Sequence, residues 1–299
     1  MNIKRYIRNP ALVVPALGRR GWFNWMSDEA YLKLVYKIYF GVYPDLENPK
    51  LYNEKLQWLK LHDRKPEYTQ LVDKYLVREY VAEIIGEEHL IPLLWSGESF
   101  DEIDFEVLPQ RFVIKCSHDS GSVVVCKDKT TFDVKKARKK INKHLKTNLY
   151  WAFREWVYEG IQPKIIIEEY IGDESELPDD YKFMVFDGEI DSVFVCRDRV
   201  QGHAKYFYYD LNWNRLDYQS VEPDVENEPS KPENFEKMVE IVRQLSKDFC
   251  HIRVDLYNVS GKIYFGELTF YNDAGFDVDI NEQTNALWGS KIKLPVNKC

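Results

Sequence analysis

The chain has 299 residues, 44% of them hydrophobic, enough to bury a substantial core in one large domain or two to three subdomains. Hydrophobic runs such as 112–114 and 123–125 fall far short of the roughly 20 apolar residues a membrane-spanning helix needs, and no cleavable signal is read at the start, so a cytoplasmic setting is expected. A net charge of −8 argues against nonspecific nucleic-acid binding, and five scattered cysteines without a C-x-x-C pair argue against a disulfide framework or a zinc ribbon.

Residues 1–27 hold Lys4, Arg5, Arg8, Arg19 and Arg20 and no acid, interleaved with Val13, Val14, Leu17, Trp22, Phe23 and Trp25. Such a segment either packs on the body through its aromatics or lies on an anionic membrane surface. Apolar spacing then predicts short helices up to about residue 72, through Leu32, Leu34, Val35 and Ile38 and through Leu51, Leu56, Trp58, Leu59 and Leu61, and another helix over 73–85. Residues 111–116 and 121–126 are β-rich runs joined by Ser117-His118-Asp119-Ser120, which reads as a hairpin or a ligand-gripping loop. A lysine-rich helix over 134–146 follows, its charges on a solvated face.

Residues 164–170 read as a buried strand ending in two acids. Strands over 181–186 and 189–197 flank Asp187-Gly188, a strong hairpin signal, and 205–210 with 215–218 look like a second hairpin around Asn212-Trp213-Asn214. An acidic, proline-containing loop over 220–231 leads to a helix with Phe235, Met238, Val242, Leu245 and Phe249 inward.

The segment 253–269 carries the sharpest chemistry. A three-residue turn, Ser260-Gly261-Lys262, pairs Val259 with Ile263, Tyr257 with Phe265, Asp255 with Glu267, and Arg253 with Thr269. Two carboxylates then oppose each other at roughly 5 Å, a repulsion on the order of 3 kcal/mol at an effective dielectric near 20. Arg253 on the same face, or a hard divalent cation with oxygen ligands, would relieve it. A two-residue turn at Ser260-Gly261 would instead send Glu267 to the opposite face.

Lys115 in a strand before a small-residue loop, Glu168-Glu169 ending a buried strand and this hairpin follow an order that resembles the ATP-grasp superfamily. Tyr52-Asn-Glu-Lys-Leu-Gln-Trp-Leu-Lys60, Leu71-Val-Asp-Lys74, Lys115-Cys-Ser-His-Asp-Ser-Gly121, Asp180-Tyr-Lys-Phe183 and Gly261-Lys-Ile-Tyr-Phe-Gly-Glu-Leu-Thr-Phe270 are similar to its teichuronopeptide-biosynthesis, TupA-like branch. The resemblance implies an α+β ATP-grasp fold: a helical segment over 1–72, then subdomains over 73–168 and 169–299 that clamp ATP. It implies phosphate contacts from Lys74, Lys115 and the loop Ser120, Gly121 and Ser122, and adenine and ribose contacts near Glu168, Glu169, Tyr170 and Ile171. Lys182 would be a third cation, Asp255, Glu267 and Thr269 the Mg²⁺ ligands, and Arg253 with Lys115 the catalytic cations. Thr269 departs from the asparagine common at that position.

The activity implied is ATP-dependent joining of a carboxylate to an amine through an acyl-phosphate, on a uronic-acid-type acceptor of envelope or capsular polysaccharide. Arg197, Arg199, His203 and Lys205 are candidates for that acceptor. A glycosyltransferase using Asp277-Val278-Asp279, or a sugar phosphotransferase on the same fold, are the alternatives. Expected partners are small-molecule or saccharide carboxylate and amine substrates, a second copy of the chain, and a membrane's inner face through residues 1–27.

Overall fold

The computed structural model describes residues 12–172, 178–197, 205–220 and 228–295. Strands β1 (Leu93–Gly97), β2 (Phe112–Cys116), β3 (Val124–Cys126) and β4 (Ile165–Glu169) form an antiparallel sheet ordered β1-β4-β2-β3. Strands β5 (Asp180–Phe186), β6 (Glu189–Arg197), β7 (Lys205–Tyr209), β8 (His251–Val259) and β9 (Lys262–Thr269) form a second, ordered β7-β6-β5-β8-β9 and also antiparallel. The helices are α1 (Val13–Gly18), α2 (Asp28–Phe40), α3 (Tyr52–His62), α4 (Glu67–Val72), α5 (Val77–Ile85), α6 (Val134–Leu145), α7 (Tyr150–Phe153), α8 (Phe235–Ser246) and α9 (Glu282–Lys291).

Period-two alternation decides which sheet faces are buried. On the first sheet Phe112, Ile114, Ile165 and Ile167 pack against Ala137 and Ile141 of α6, so the lysines of that helix are left to solvent as its charge pattern requires. On the second, Phe183, Val185, Val193, Ile252, Val254 and Leu256 meet the apolar stripe of α8, where Phe235 stacks on Phe183 at 5.9 Å between ring centroids. The opposite face carries Lys115 and Glu168 on the first sheet and Lys182, Arg253, Asp255 and Glu267 on the second.

Helix α3 behaves differently from the amphipathic helix its leucines predict. Its polar residues Asn53, Gln57 and Lys60 recur at helical spacing and are all fully buried. Asn53 Nδ2 donates to the Asp277 carbonyl at 3.0 Å, Gln57 Nε2 to the Gly275 carbonyl at 2.5 Å, and Lys60 Nζ to the carbonyls of Ala274 (2.5 Å) and Phe153 (3.0 Å). These bonds grip a turn in which Asp273 (φ 45°), Ala274 (φ 53°) and Gly275 (φ 67°) are successively left-handed. Two non-glycine residues in that region are strained, and a conformation of this kind persists only where its surroundings over-determine it.

Two hairpins follow different logic. Asp187 and Gly188, both at positive φ, make the two-residue turn between β5 and β6 that the sequence predicts. Between β8 and β9 the turn also has two residues, Ser260 (φ 51°) and Gly261 (φ 80°), and pairs Val259 with Lys262, correcting the three-residue turn expected above. A bulge at Gly266 then inserts one extra residue, so Asp255 faces Glu267 and Arg253 faces Thr269 after all. Gly266 suits the bulge because a Cβ there would lie 3.0 Å from the Asp255 carbonyl oxygen. The expected hairpin over 205–218 is reduced to a single bridge, Tyr209 to Arg215, because Asp210 captures the Asn212 and Asn214 N–H groups (2.8 Å each) and turns the chain away.

His251 pins α3 to the second sheet. Its Nδ1 lies 2.8 Å from the Val185 carbonyl, which only accepts, so Nδ1 carries the proton and Nε2 accepts from the Tyr52 hydroxyl at 3.1 Å. Burial pushes the imidazole down to about 4. The folded state therefore refuses a proton that the unfolded chain takes up below about pH 6.5, and stability is lost as pH falls through that interval, by about 3 kcal/mol at the full shift. Urea unfolding of the wild type and His251→Phe at pH 7 and pH 4.5 should show the wild type losing about 2 to 3 kcal/mol more than the variant over that change. Equal losses would contradict this.

Candidate active site

Three neighbouring strands line up a row of charges on the face of the second sheet opposite α8. Lys182 of β5 pairs with Asp255 of β8, and Asp255 with Glu267 of β9. Arg253, one pleat along, donates from Nε (2.7 Å) and Nη2 (2.8 Å) to the two oxygens of Asp255, from Nη2 to Glu267 at 2.9 Å, and from Nη1 to Asn272 Oδ1 at 2.6 Å. Lys182 reaches both Asp255 and Asp180, the latter at 2.7 Å. Thr269 Oγ1 lies 3.4 Å from Glu267, at the end of the row.

The electrostatics follow from this packing. Burial pushes the Glu267 carboxyl up, but the charges of Lys74, Lys182 and Arg253 outweigh it and hold the group at about 2. Burial pushes Asp255 up, and Arg253 and Lys182 pull it back down without fully offsetting that rise. The Asp255 and Asp180 charges outweigh the burial of Lys182 and hold its ammonium well above the usual lysine range. Asp255 is buried and held by Arg253 and Lys182, whereas the Glu267 side chain is 39% exposed and keeps oxygen lone pairs open to the cleft.

The first sheet supplies the facing wall. Lys115 and Glu168 share one face, and their ion pair closes at 2.7 Å, with Arg78 Nη1 3.4 Å from the other Glu168 oxygen. Glu168 is buried and Glu169 exposed, as alternation along a strand demands; Tyr170 and Ile171 follow at the strand's end, half-buried. The loop after Lys115 is braced from within. Ser122 Oγ accepts from the Cys116 N–H at 2.9 Å, Ser117 Oγ donates to Asp73 at 2.9 Å, and Lys74 Nζ donates to the Asp119 carbonyl at 2.7 Å. Ser120 and Gly121 (φ 91°) form the exposed tip. The Asp119 carboxylate is turned fully inward onto His144 of α6, and its Oδ1 has no hydrogen-bond partner. The influence of Lys74 on Glu267 joins the two walls.

Not every expected residue gathers here. Arg197 and Lys205 face each other across β6 and β7, on the opposite face of the sheet from Lys182 and Asp255 by strand parity. Arg197 is spent on Asp179, with Nε 2.9 and 3.0 Å from its two oxygens. Arg199 and His203 lie outside the described residues. Asp277 of the D-x-D string is buried and caps its own turn, accepting the N–H groups of Asp279 (3.0 Å) and Ile280 (3.3 Å), and burial pushes its carboxyl up to about 8. It offers no open carboxylate pair. Asn272, Asp180, Arg78 and His144 complete the site without having been singled out in the sequence. Only Asp180 had a signal, its place two residues before Lys182.

Residues 54–293 match the family described as TupA-like ATPgrasp. Among curated proteins none matches the chain. Among solved structures it is similar to D-alanine–D-alanine ligase from Bacillus anthracis complexed with ATP (15% identity over 67% of this chain and 54% of that one, TM-score 0.40). It is also similar to an L-amino acid ligase from Bacillus licheniformis (12%, 84% and 57%, TM-score 0.45) and to D-alanine–D-alanine ligase from Helicobacter pylori (15%, 82% and 69%, TM-score 0.40). The chain spans a little over half the length of the first ligases it matches. With most of its length matched, the chain belongs to the TupA-like ATP-grasp family and has the α+β fold of that superfamily.

Proposed function

We propose that the chain is a Mg²⁺- and ATP-dependent carboxylate–amine ligase that works through an acyl-phosphate, joining an amino acid or amine to a uronic-acid-type carboxylate of a cell-envelope or capsular polysaccharide. The observation that carries this reading is the opposition of Asp255 and Glu267 beside Arg253 and Lys182, with Lys74 near enough for its charge to act on Glu267. In this reading residues 73–168 grip the phosphates, residues 169–299 hold the metal side, and the chemistry takes place in the cytoplasm at the inner face of the membrane.

The donor set fits a hard cation: two carboxylates and a hydroxyl, all oxygen. Among the described residues no three His, Cys, Asp or Glu side chains converge to hold a metal by themselves. Glu267, Asp255 and Thr269 would hold Mg²⁺, and its chemistry there is neutralisation of β- and γ-phosphate charge. Lys115 and Lys74 meet the phosphates from the other wall. Arg253, already forked between two carboxylates, is placed to stabilise charge on the transferring phosphoryl group. Glu168, buried under Lys115 and Arg78, orients the lysine and lines the hinge. No protein nucleophile is needed, because the substrate carboxylate attacks phosphorus and the amine then displaces phosphate.

Purified protein supplied with ATP and Mg²⁺ should release ADP and phosphate only when both a carboxylate and an amine are present. Glu267→Gln and Asp255→Asn should lower that turnover about 100-fold or more with the fold intact by circular dichroism. Full turnover in either variant, or ADP release with a phosphorylated hydroxyl as product, would contradict the reading.

The inward carboxylate of Asp119 gives a second test. A loop that must approach a triphosphate carries an anion, and His144 holds it away from the tip. His144→Ala should weaken ATP binding about tenfold by calorimetry, and Asp119→Ala in that background should restore most of the loss, a coupling of about 1.4 kcal/mol. Simple additivity of the two changes would show that the pair does not shield the loop.

A further inference from the structure

Residues 19–26 follow α1 as a tight turn, closed by Gly21 N–H to Gly18 O (2.8 Å), Asn24 N–H to Gly21 O (3.2 Å) and Met26 N–H to Phe23 O (3.1 Å). Phe23 points inward, 5.7 Å from the ring of Tyr31, and its carbonyl accepts from the buried Arg154 at 2.8 Å. With Phe23 fixed, its neighbours are thrown outward. Trp22 is 66% and Trp25 80% exposed, and Trp25 Nε1 donates to the Trp22 carbonyl at 3.1 Å, so the two indoles stand on a defined scaffold. Arg19 and Arg20 are exposed beside them, and Val13 of α1 is also exposed.

We propose that this turn docks the protein on a bilayer bearing anionic headgroups, with Trp22 and Trp25 at the interfacial level and Arg19 and Arg20 on the headgroups. The proposal deepens the membrane-side part of the proposed function and rests on it. Charge complementarity carries it first. The segment has no acid before Asp28. Asp28 is already engaged by Arg64 (2.6 Å), the Tyr150 hydroxyl (2.7 Å) and Arg154 (3.3 Å), and Glu29 by Lys33 (2.6 Å). A local cationic face therefore stands on a chain of net charge −8, which an anionic surface would otherwise repel.

Size favours a bilayer over a second copy of the chain. The exposed indole surface amounts to roughly 350 Å², well under the roughly 800 Å² per partner of a stable protein interface. Indoles flanked by arginines are instead the side chains that the membrane–water boundary favours. The turn is also mechanically tied to the site. Val14, Phe23 and Met26 belong to one packed cluster with Tyr31, Tyr36, Ala274 and Phe276; Ala274 lies in, and Phe276 just after, the left-handed turn that follows Asn272, the residue that holds Arg253. Docking here fixes the attitude of the Arg253 site toward the surface.

The test is co-sedimentation of the full chain with large unilamellar vesicles of phosphatidylcholine alone and of phosphatidylcholine with 30% phosphatidylglycerol. The anionic vesicles should bind the protein at least tenfold better. The Trp22→Ala/Trp25→Ala and Arg19→Glu/Arg20→Glu double variants should each lose at least tenfold of that binding while taking up ATP in calorimetry as the wild type does. Equal partition of the wild type into both vesicles, unchanged binding by the variants, or self-association lost with the tryptophans and no vesicle binding would each overturn the proposal. Vesicle binding is read without turnover, so a failed ligase assay beside intact sedimentation indicts the chemistry and not the surface.

Discussion

Two carboxylates held opposite each other in neighbouring strands repel by an amount on the order of 3 kcal/mol, and the second sheet is arranged around keeping Asp255 and Glu267 in that position. Arg253 spans both, and Lys182 closes on Asp255 from the other side. An arginine taken this far out of water must be fully hydrogen-bonded or its desolvation is uncompensated. Asn272 supplies its remaining acceptor, and the strained turn after Asn272 is clamped by Gln57 and Lys60 of α3. Beneath that turn lies the aromatic cluster of α2. A contact between two side chains in one hairpin thus determines why a helix more than 190 residues earlier in the chain buries a lysine.

The same logic organises the facing wall. Lys115 is tied to Glu168, Lys74 to the Asp119 carbonyl and Lys182 to Asp180 and Asp255, so each cation has an anionic or carbonyl partner in place. Such partners hold a lysine within reach of a cleft without leaving its charge buried and unpaired. In the proposed reaction phosphate oxygens share these cations with the carboxylates, and the geometry is prepared before the nucleotide arrives. Thr269, half-buried, stands at the end of the row, and its hydroxyl is the weakest donor there.

Much of this was legible in the sequence, for identifiable reasons. The strands around Asp187-Gly188, the apolar stripe of α8 and the alternation that separates Glu168 from Glu169 are local patterns, and local patterns survive folding. The pairing of Asp255 with Glu267 was reached through the wrong turn: spacing offers either a three-residue loop or a two-residue loop with a bulge, and only the close approach of Gly266 to the Asp255 carbonyl distinguishes them. The second hairpin failed because Asp210 prefers its own turn N–H groups to a continued ladder. The polar stripe of α3 was hidden for a different reason. Asn53, Gln57 and Lys60 look like a solvated face until Gly275, Ala274 and Asp277, more than 200 residues on, arrive to take their hydrogen bonds. Arg197 and Lys205 follow closely along the chain from the strand that carries Lys182, but strand parity puts them on the other side of the sheet.

In the proposed reaction the Asp255 and Glu267 pair, and not the surrounding cations alone, holds the metal–nucleotide complex. Calorimetric titration of ATP into the wild type and Glu267→Gln, each with excess Mg²⁺ and again with EDTA, tests it without requiring either substrate to be known. Mg²⁺ should tighten ATP binding by at least tenfold in the wild type, and this gain should disappear in Glu267→Gln while metal-free binding is retained or strengthened. A Mg²⁺ gain of equal size in the variant would contradict it.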